Sequence, residues 1–181
     1  MKKLTYGICG VLVLFGLAAC VGPLQQDETP PPQSVSYVDI DAFMGRWYVI
    51  ATTPGVRHRN SQNALKDMQQ LDDGSIKIES YMLSGDEEPE WKMYEGSARI
   101  RNIRTNAEWE ISYTWPIRQN FRILYLSENY DLVLMGDDRR NNLRILAREQ
   151  TIPNHRYSDM MIQAQNMGYD ISRVRRVPQN Q

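Results

Sequence analysis

Asp41-Ala42-Phe43-Met44-Gly45-Arg46-Trp47-Tyr48-Val49-Ile50-Ala51 decides how the rest of the chain is read. A polar, helix-capable turn breaks at Gly45 into a run of aromatic and β-branched residues, which reads as a strand. A glycine two residues before a tryptophan lets a short helical turn pass closely into a strand, and leaves room for the indole to fold over the strand start. Alone, this pattern fits the first strand of many β cores. The residues beyond it narrow the choice.

Turn signals recur at nearly regular spacing after Trp47, among them Asp72-Asp73-Gly74, Ser84-Gly85-Asp86, Pro116–Asn120, Ser127-Glu128-Asn129-Tyr130 and Gly136–Asn141. They separate predicted strands at about residues 46–53, 63–71, 75–83, 90–101, 107–115, 121–126, 131–135 and 142–148. Ile76, Ile78, Ser80 and Met82 share one face, opposite Lys77, Glu79 and Tyr81. Trp109, Ile111, Tyr113 and Trp115 oppose Glu108, Glu110, Ser112 and Thr114, and Phe121, Ile123 and Tyr125 align in the same way. An antiparallel meander with one apolar face throughout closes most simply into an up-and-down barrel. The expected fold is therefore all-β, an eight-stranded antiparallel barrel.

Beyond the eighth strand the period changes. Tyr157, Met160, Met161, Ala164 and Met167 share a helical stripe between Pro153 and Gly168, a start and a stop signal. This C-terminal α-helix is expected to pack on the outer barrel wall. Ile171–Val177 reads as a short final strand whose Arg173, Arg175 and Arg176 suit an exposed edge.

At the other end, Met1-Lys2-Lys3 and the uncharged apolar run Tyr6–Ala19 make a secretory signal, residues 1–19, short for a transmembrane helix. Leu17-Ala18-Ala19-Cys20 resembles a bacterial lipobox, which implies acylation of Cys20 and cleavage before it. Val21, in place of an aspartate, implies sorting to an outer membrane, with a lipid-anchored domain facing the periplasm. Pro23, Pro30, Pro31 and Pro32 lie in a polar stretch, so residues 20–36 form the lipidated Cys and a Pro-rich tether, with the domain at 37–181. Cys9 is the only other cysteine, so the mature chain has no pair for a disulfide. The whole chain has 21 Lys and Arg against 22 Asp and Glu, and loses Lys2 and Lys3 with the signal. That balance gives no reason to expect nucleic acid binding.

With Gly45-Arg46-Trp47 at the first strand and Leu143-Arg144-Ile145-Leu146-Ala147-Arg148 at the last, the chain resembles the lipocalins, most closely the bacterial outer-membrane lipoprotein lipocalins related to apolipoprotein D. Tyr94-Glu95-Gly96-Ser97-Ala98 and Gly168-Tyr169-Asp170-Ile171-Ser172 extend the likeness, which spans about Ile40 to Pro178. The resemblance implies that Trp47 plugs the barrel floor and Arg148 packs across it, a structural pair joined by cation–π contact and hydrogen bonds. Of the family's second motif, Ser127-Glu128-Asn129-Tyr130 clearly retains only Tyr130. The two domain cysteines of some relatives are missing.

No pattern of catalysis stands out. The two histidines, His58 and His155, lie far apart in sequence, and neither metal-ligand spacing nor a nucleophile elbow is present. The chain reads as a binding protein without enzyme activity, metal or cofactor. The resemblance implies fatty acid or lysophospholipid as ligand, with the membrane reached through acylated Cys20; a homodimer stays open. The inward parity set Ile76, Ile78, Met82, Trp109, Ile111, Tyr113, Phe121, Ile123 and Tyr125 is expected to line the ligand, with Trp109 emission reporting its binding. The rival is an envelope lipoprotein whose large aromatic residues fill the barrel and leave no ligand space. Arg144 has two readings. Parity with Arg148 puts it inside, where it receives a ligand carboxylate or phosphate; a bulge would instead turn it outward and Ile145 inward.

Overall fold

A computed structural model of the chain describes residues 29–55, 60–85 and 88–180. The expected signal segment 1–19 and Cys20 lie outside these residues, as does His58. Asp39 caps a one-turn helix, α1 (Ile40–Phe43), its side chain accepting from the Ala42 amide at 3.3 Å. Gly45 then adopts a φ of +89°, a conformation open to glycine and strained for other residues. Strand β1 (Gly45–Thr52) comes directly after it.

The remaining strands are β2 (Gln62–Gln70), β3 (Ile76–Ser84), β4 (Glu90–Ile100), β5 (Glu108–Thr114), β6 (Ile117–Leu126), β7 (Leu132–Asp137) and β8 (Leu143–Ala147). Each pairs antiparallel with the next, and β1 pairs with both β8 and β2, which closes the barrel. Closure satisfies the strand edges that an open sheet would expose. Boundaries agree with the sequence reading to within two residues, except at β6. It begins at Ile117 because Trp115-Pro116 alone makes the turn expected to run to Asn120.

Two apolar clusters hold the fold. One fills the lower barrel with Phe43, Trp47, Trp109, Phe121, Ile76, Ile78 and Ile123, each under 2 % exposed. The other lies outside the wall, where helix α2 (Asn154–Asn166) sets Met160 and Ala164 against Leu132, Leu134, Leu143 and Ile145. Tyr157, Met161 and Met167 pack around it as the stripe predicts. Arg156 fixes the helix by two 2.8 Å bonds to the Asp131 carboxylate. The predicted strand at 171–177 is corrected: Ile171–Arg173 is a 3₁₀ turn, with β9 reduced to Arg175–Arg176 on the edge of β1. Asp170 starts that turn by accepting from the Ser172 amide at 3.1 Å, a local bond that competes with strand pairing.

The tether expected to reach Ser36 ends sooner. Val35 donates to the Ile123 carbonyl at 2.9 Å and packs on the interior cluster. The compact unit runs from Pro31 to Gln181.

Candidate functional site

The floor is built from backbone carbonyls that α1 leaves unpaired at its end. Trp47 Nε1 donates to the Phe43 carbonyl at 2.8 Å. The Arg148 guanidinium lies 3.9 Å from the indole centroid and donates to the carbonyls of Arg46 (2.7 Å), Ala42 (2.9 Å), Phe43 (3.2 Å) and Met44 (2.8 Å). One rigid fork thus satisfies four carbonyls while covering a ring face. Tyr130 joins the same knot. Its hydroxyl accepts from the Asp39 amide at 2.9 Å, and its carbonyl accepts from Arg148 Nε at 3.3 Å. In the departed motif Ser127 does the turn's work, its Oγ accepting from the amides of Asp131 (3.0 Å) and Leu132 (2.9 Å).

Above the floor, Ile76, Ile78, Trp109, Ile111, Phe121 and Ile123 do point inward, but they pack on one another and seal the lower barrel. They do not line open space. The open space lies above them, a cavity of about 310 Å³. Of the predicted ligand residues, Met82, Tyr113 and Arg144 line it. Tyr125 does not. A bulge at Leu124, between the pairs Ile123–Met135 and Tyr125–Leu134, reverses the parity of β6 and sends Tyr125 to the outer cluster. Trp109 is fully buried and bonded to the Asn106 carbonyl at 2.7 Å, so it is a poor reporter of the cavity.

Arg144 is inside. In β8, Leu143, Ile145 and Ala147 join the outer cluster while Leu146 joins the interior, so Arg144 shares the inner face with Leu146. Its guanidinium lies 4.4 Å from the Phe121 centroid, on top of the sealed core. Among the described residues it has no hydrogen-bond or ion-pair partner.

Three residues that the parity set left out or did not weigh complete the polar layer: Lys66, Ser80 and Gly96. Lys66, on the inner face of β2 between Ala64 and Met68, is 8 % exposed. Its ammonium donates to Ser80 Oγ and Tyr113 Oη, both at 2.8 Å. The Tyr113 ring lies over Gly96, where a Cβ would come within 2.6 Å of it, so the glycine makes the room the ring occupies. Burial pushes the Lys66 ammonium below its ordinary range, and the nearby Arg144 charge adds to this. Burial alone would push the Tyr113 phenol up, but the Lys66 and Arg144 charges outweigh it and bring the phenol down to about 7. No Asp or Glu lies among the described residues that line the cavity. Its interior therefore carries excess positive charge.

The β2 pattern held the signal for Lys66. Ala64, Lys66 and Met68 alternate, but Leu65 on the other parity hid which face was inner. The mouth is lined by Thr53, Pro54, Thr114, Gln119 and Asn142 among others. Beside it, Trp91 (61 %), Met93 (54 %), Trp115 (82 %) and Ile117 (63 %) are exposed on the mouthward parts of β4 and the β5–β6 hairpin.

A family model described as a lipocalin-like domain matches residues 38–179. The chain is 25% identical over 169 residues to the outer membrane lipoprotein Blc of Escherichia coli K12, covering 92% of each protein. It is also 25% identical to temperature-induced lipocalin-1 of Arabidopsis thaliana over 162 residues, 84% of this chain and 86% of that one. Among solved structures, lobster apocrustacyanin A1 superposes with a TM-score of 0.64 at 13% identity, covering 84% of this chain and 91% of that one. Insecticyanin of the tobacco hornworm Manduca sexta gives a TM-score of 0.64 at 12% identity, over 82% and 84% of the two chains.

Proposed function

Because this chain belongs to the lipocalin-like family over residues 38–179, we propose that it is a lipid-anchored carrier of small single-tailed amphiphiles, fatty acids or lysophospholipids, in the cell envelope. The observation that carries this reading is the cavity of about 310 Å³ above a sealed floor. Its apolar walls include Val49, Ala64, Met82 and Val177, and its deep end is polar. That volume is near the lower end for small-molecule sites, roughly ten waters' worth. It takes one end of a long amphiphile and leaves the remainder to pass through the mouth. Each buried methylene contributes about 0.8 kcal/mol, so micromolar binding, ~8 kcal/mol net, needs most of a ten-carbon tail buried in the cavity and its mouth together with a charge-assisted polar contact.

Titration calorimetry of delipidated Pro31–Gln181 with decanoate tests the reading. One-to-one, saturable binding in the micromolar range is expected. The rival reading, a barrel filled by its own side chains, draws on the packed lower half; a flat titration with both decanoate and decan-1-ol would favour it.

The lipobox-like Leu17-Ala18-Ala19-Cys20 supports the anchor, and relatives named as outer membrane lipoproteins support its placement in the outer membrane. Cys20→Ser is expected to leave an unprocessed precursor or a soluble domain without labelled palmitate. Palmitate incorporation undiminished in that variant would reject Cys20 as the attachment site.

A further inference from the structure

We propose that Arg144, Lys66 and Tyr113 form an oxyanion site at the deep end of the cavity, so that an anionic amphiphile enters head first with its tail toward the mouth. The inference rests on the carrier reading and adds ligand charge and orientation to it. Arg144 has no hydrogen-bond or ion-pair partner among the described residues, although its ring contact with Phe121 holds the guanidinium in place at 4.4 Å. A guanidinium presents its donors in a planar fork that fits a carboxylate or phosphate. Lys66 directs two of its three N–H groups at Ser80 and Tyr113, and no described residue accepts from the third. A lysine buried beside an arginine with no carboxylate among the described lining residues is costly, and an anion bound between them removes that cost.

The surroundings set the orientation. Below the charged layer the barrel is closed by Phe121, Ile78 and Ile111, leaving no room for a tail. Toward the mouth come Met82, Val49 and Ala64, and at its rim the exposed Trp115 and Ile117 of the β5–β6 hairpin. A tail leaving the cavity thus meets apolar surface, while a head at the bottom meets two cations. The reverse orientation would put methylenes against Lys66 and Arg144.

The test compares decanoate, decan-1-ol and acetate on Pro31–Gln181 by calorimetry. Decanoate is expected to bind at least about tenfold tighter than decan-1-ol. Arg144→Met should erase that preference while changing decan-1-ol binding by less than about threefold, and Arg144→Lys should retain part of it. Lys66→Met should act in the same direction, which guards against a folding defect in either variant.

A pH series adds a readout that a structural role would not give. Tyr113 is faced by Lys66 from β2, Ser80 from β3 and Arg144 from β8, above Gly96 of β4, with Tyr94 also on the cavity wall. Against the opposing effect of burial, the Lys66 and Arg144 charges bring its phenol down toward neutrality, so a rise in pH adds a negative charge beside the head. Decanoate affinity should fall from about pH 6 to about pH 8, decan-1-ol affinity should stay level, and Tyr113→Phe should flatten the decanoate slope. Equal losses for decanoate and decan-1-ol in Arg144→Met, or no loss, would overturn the proposal while leaving the carrier reading intact. If neither chain-bearing ligand binds the unmodified domain, both fall. Acetate binding as tightly as decanoate would overturn the amphiphile assignment.

Discussion

Trp47→Ala is expected to destabilise the domain by about 3–5 kcal/mol, as truncation of a fully buried tryptophan does elsewhere. The indole is 0 % exposed and packs against Phe43 at 5.1 Å between centroids. Its loss opens a void at the barrel floor and removes the ring on which Arg148 rests. Arg148 still has its carbonyls, but α1 and the start of β1, which present them, are held in place by the same indole. Losses should therefore be coupled. In a double-mutant cycle with Arg148→Met, monitored by denaturant unfolding, the two changes together should cost about 1–2 kcal/mol less than their sum. Strict additivity would mean that the contact at 3.9 Å carries no energy of its own.

Ala64→Phe should have the largest effect on binding. Ala64 is 5 % exposed and lines the cavity between the charged layer and the mouth. A benzyl group there fills space that a ligand needs, and the open volume limits the overpacking cost to about 1–3 kcal/mol or less. Affinity for decanoate and decan-1-ol should fall together, by about a hundredfold. The equal loss separates this variant from Arg144→Met, which should discriminate between the two ligands. Calorimetry showing unchanged decan-1-ol binding in Ala64→Phe would place the ligand somewhere else on the domain.

The barrel and its floor were readable from local pattern because their signals are short-range. Gly45 must take a positive φ, Trp47 opens a β-branched run, and turn residues mark strand after strand. The site was less legible, for two physical reasons. Strict alternation placed Ile76, Ile78, Trp109, Ile111, Phe121 and Ile123 inside, but alternation gives facing and not height. Whether an inward residue fills the core or borders space depends on how neighbouring side chains stack across the barrel. Parity also fails at bulges, and the one at Leu124 turned Tyr125 outward. Arg144 was settled by the same kind of detail. A bulge does occur in β1, between Val49 and Ala51, but β8 stays regular from Leu143 to Ala147, so Arg144 keeps the inner face. Lys66 was missed because Leu65 and Ala64 make both faces of β2 look half apolar.

If the space above the sealed floor holds one amphiphile, the complex should be countable by mass. Native mass spectrometry of Pro31–Gln181, purified without detergent and then incubated with decanoate, reads that stoichiometry without any assumption about heat or fluorescence. A single adduct of one decanoate per domain is expected, and it should be strongly diminished in Ala64→Phe at the same decanoate concentration. A bare mass at saturating decanoate, or an adduct that persists undiminished in Ala64→Phe, would contradict carriage in this cavity.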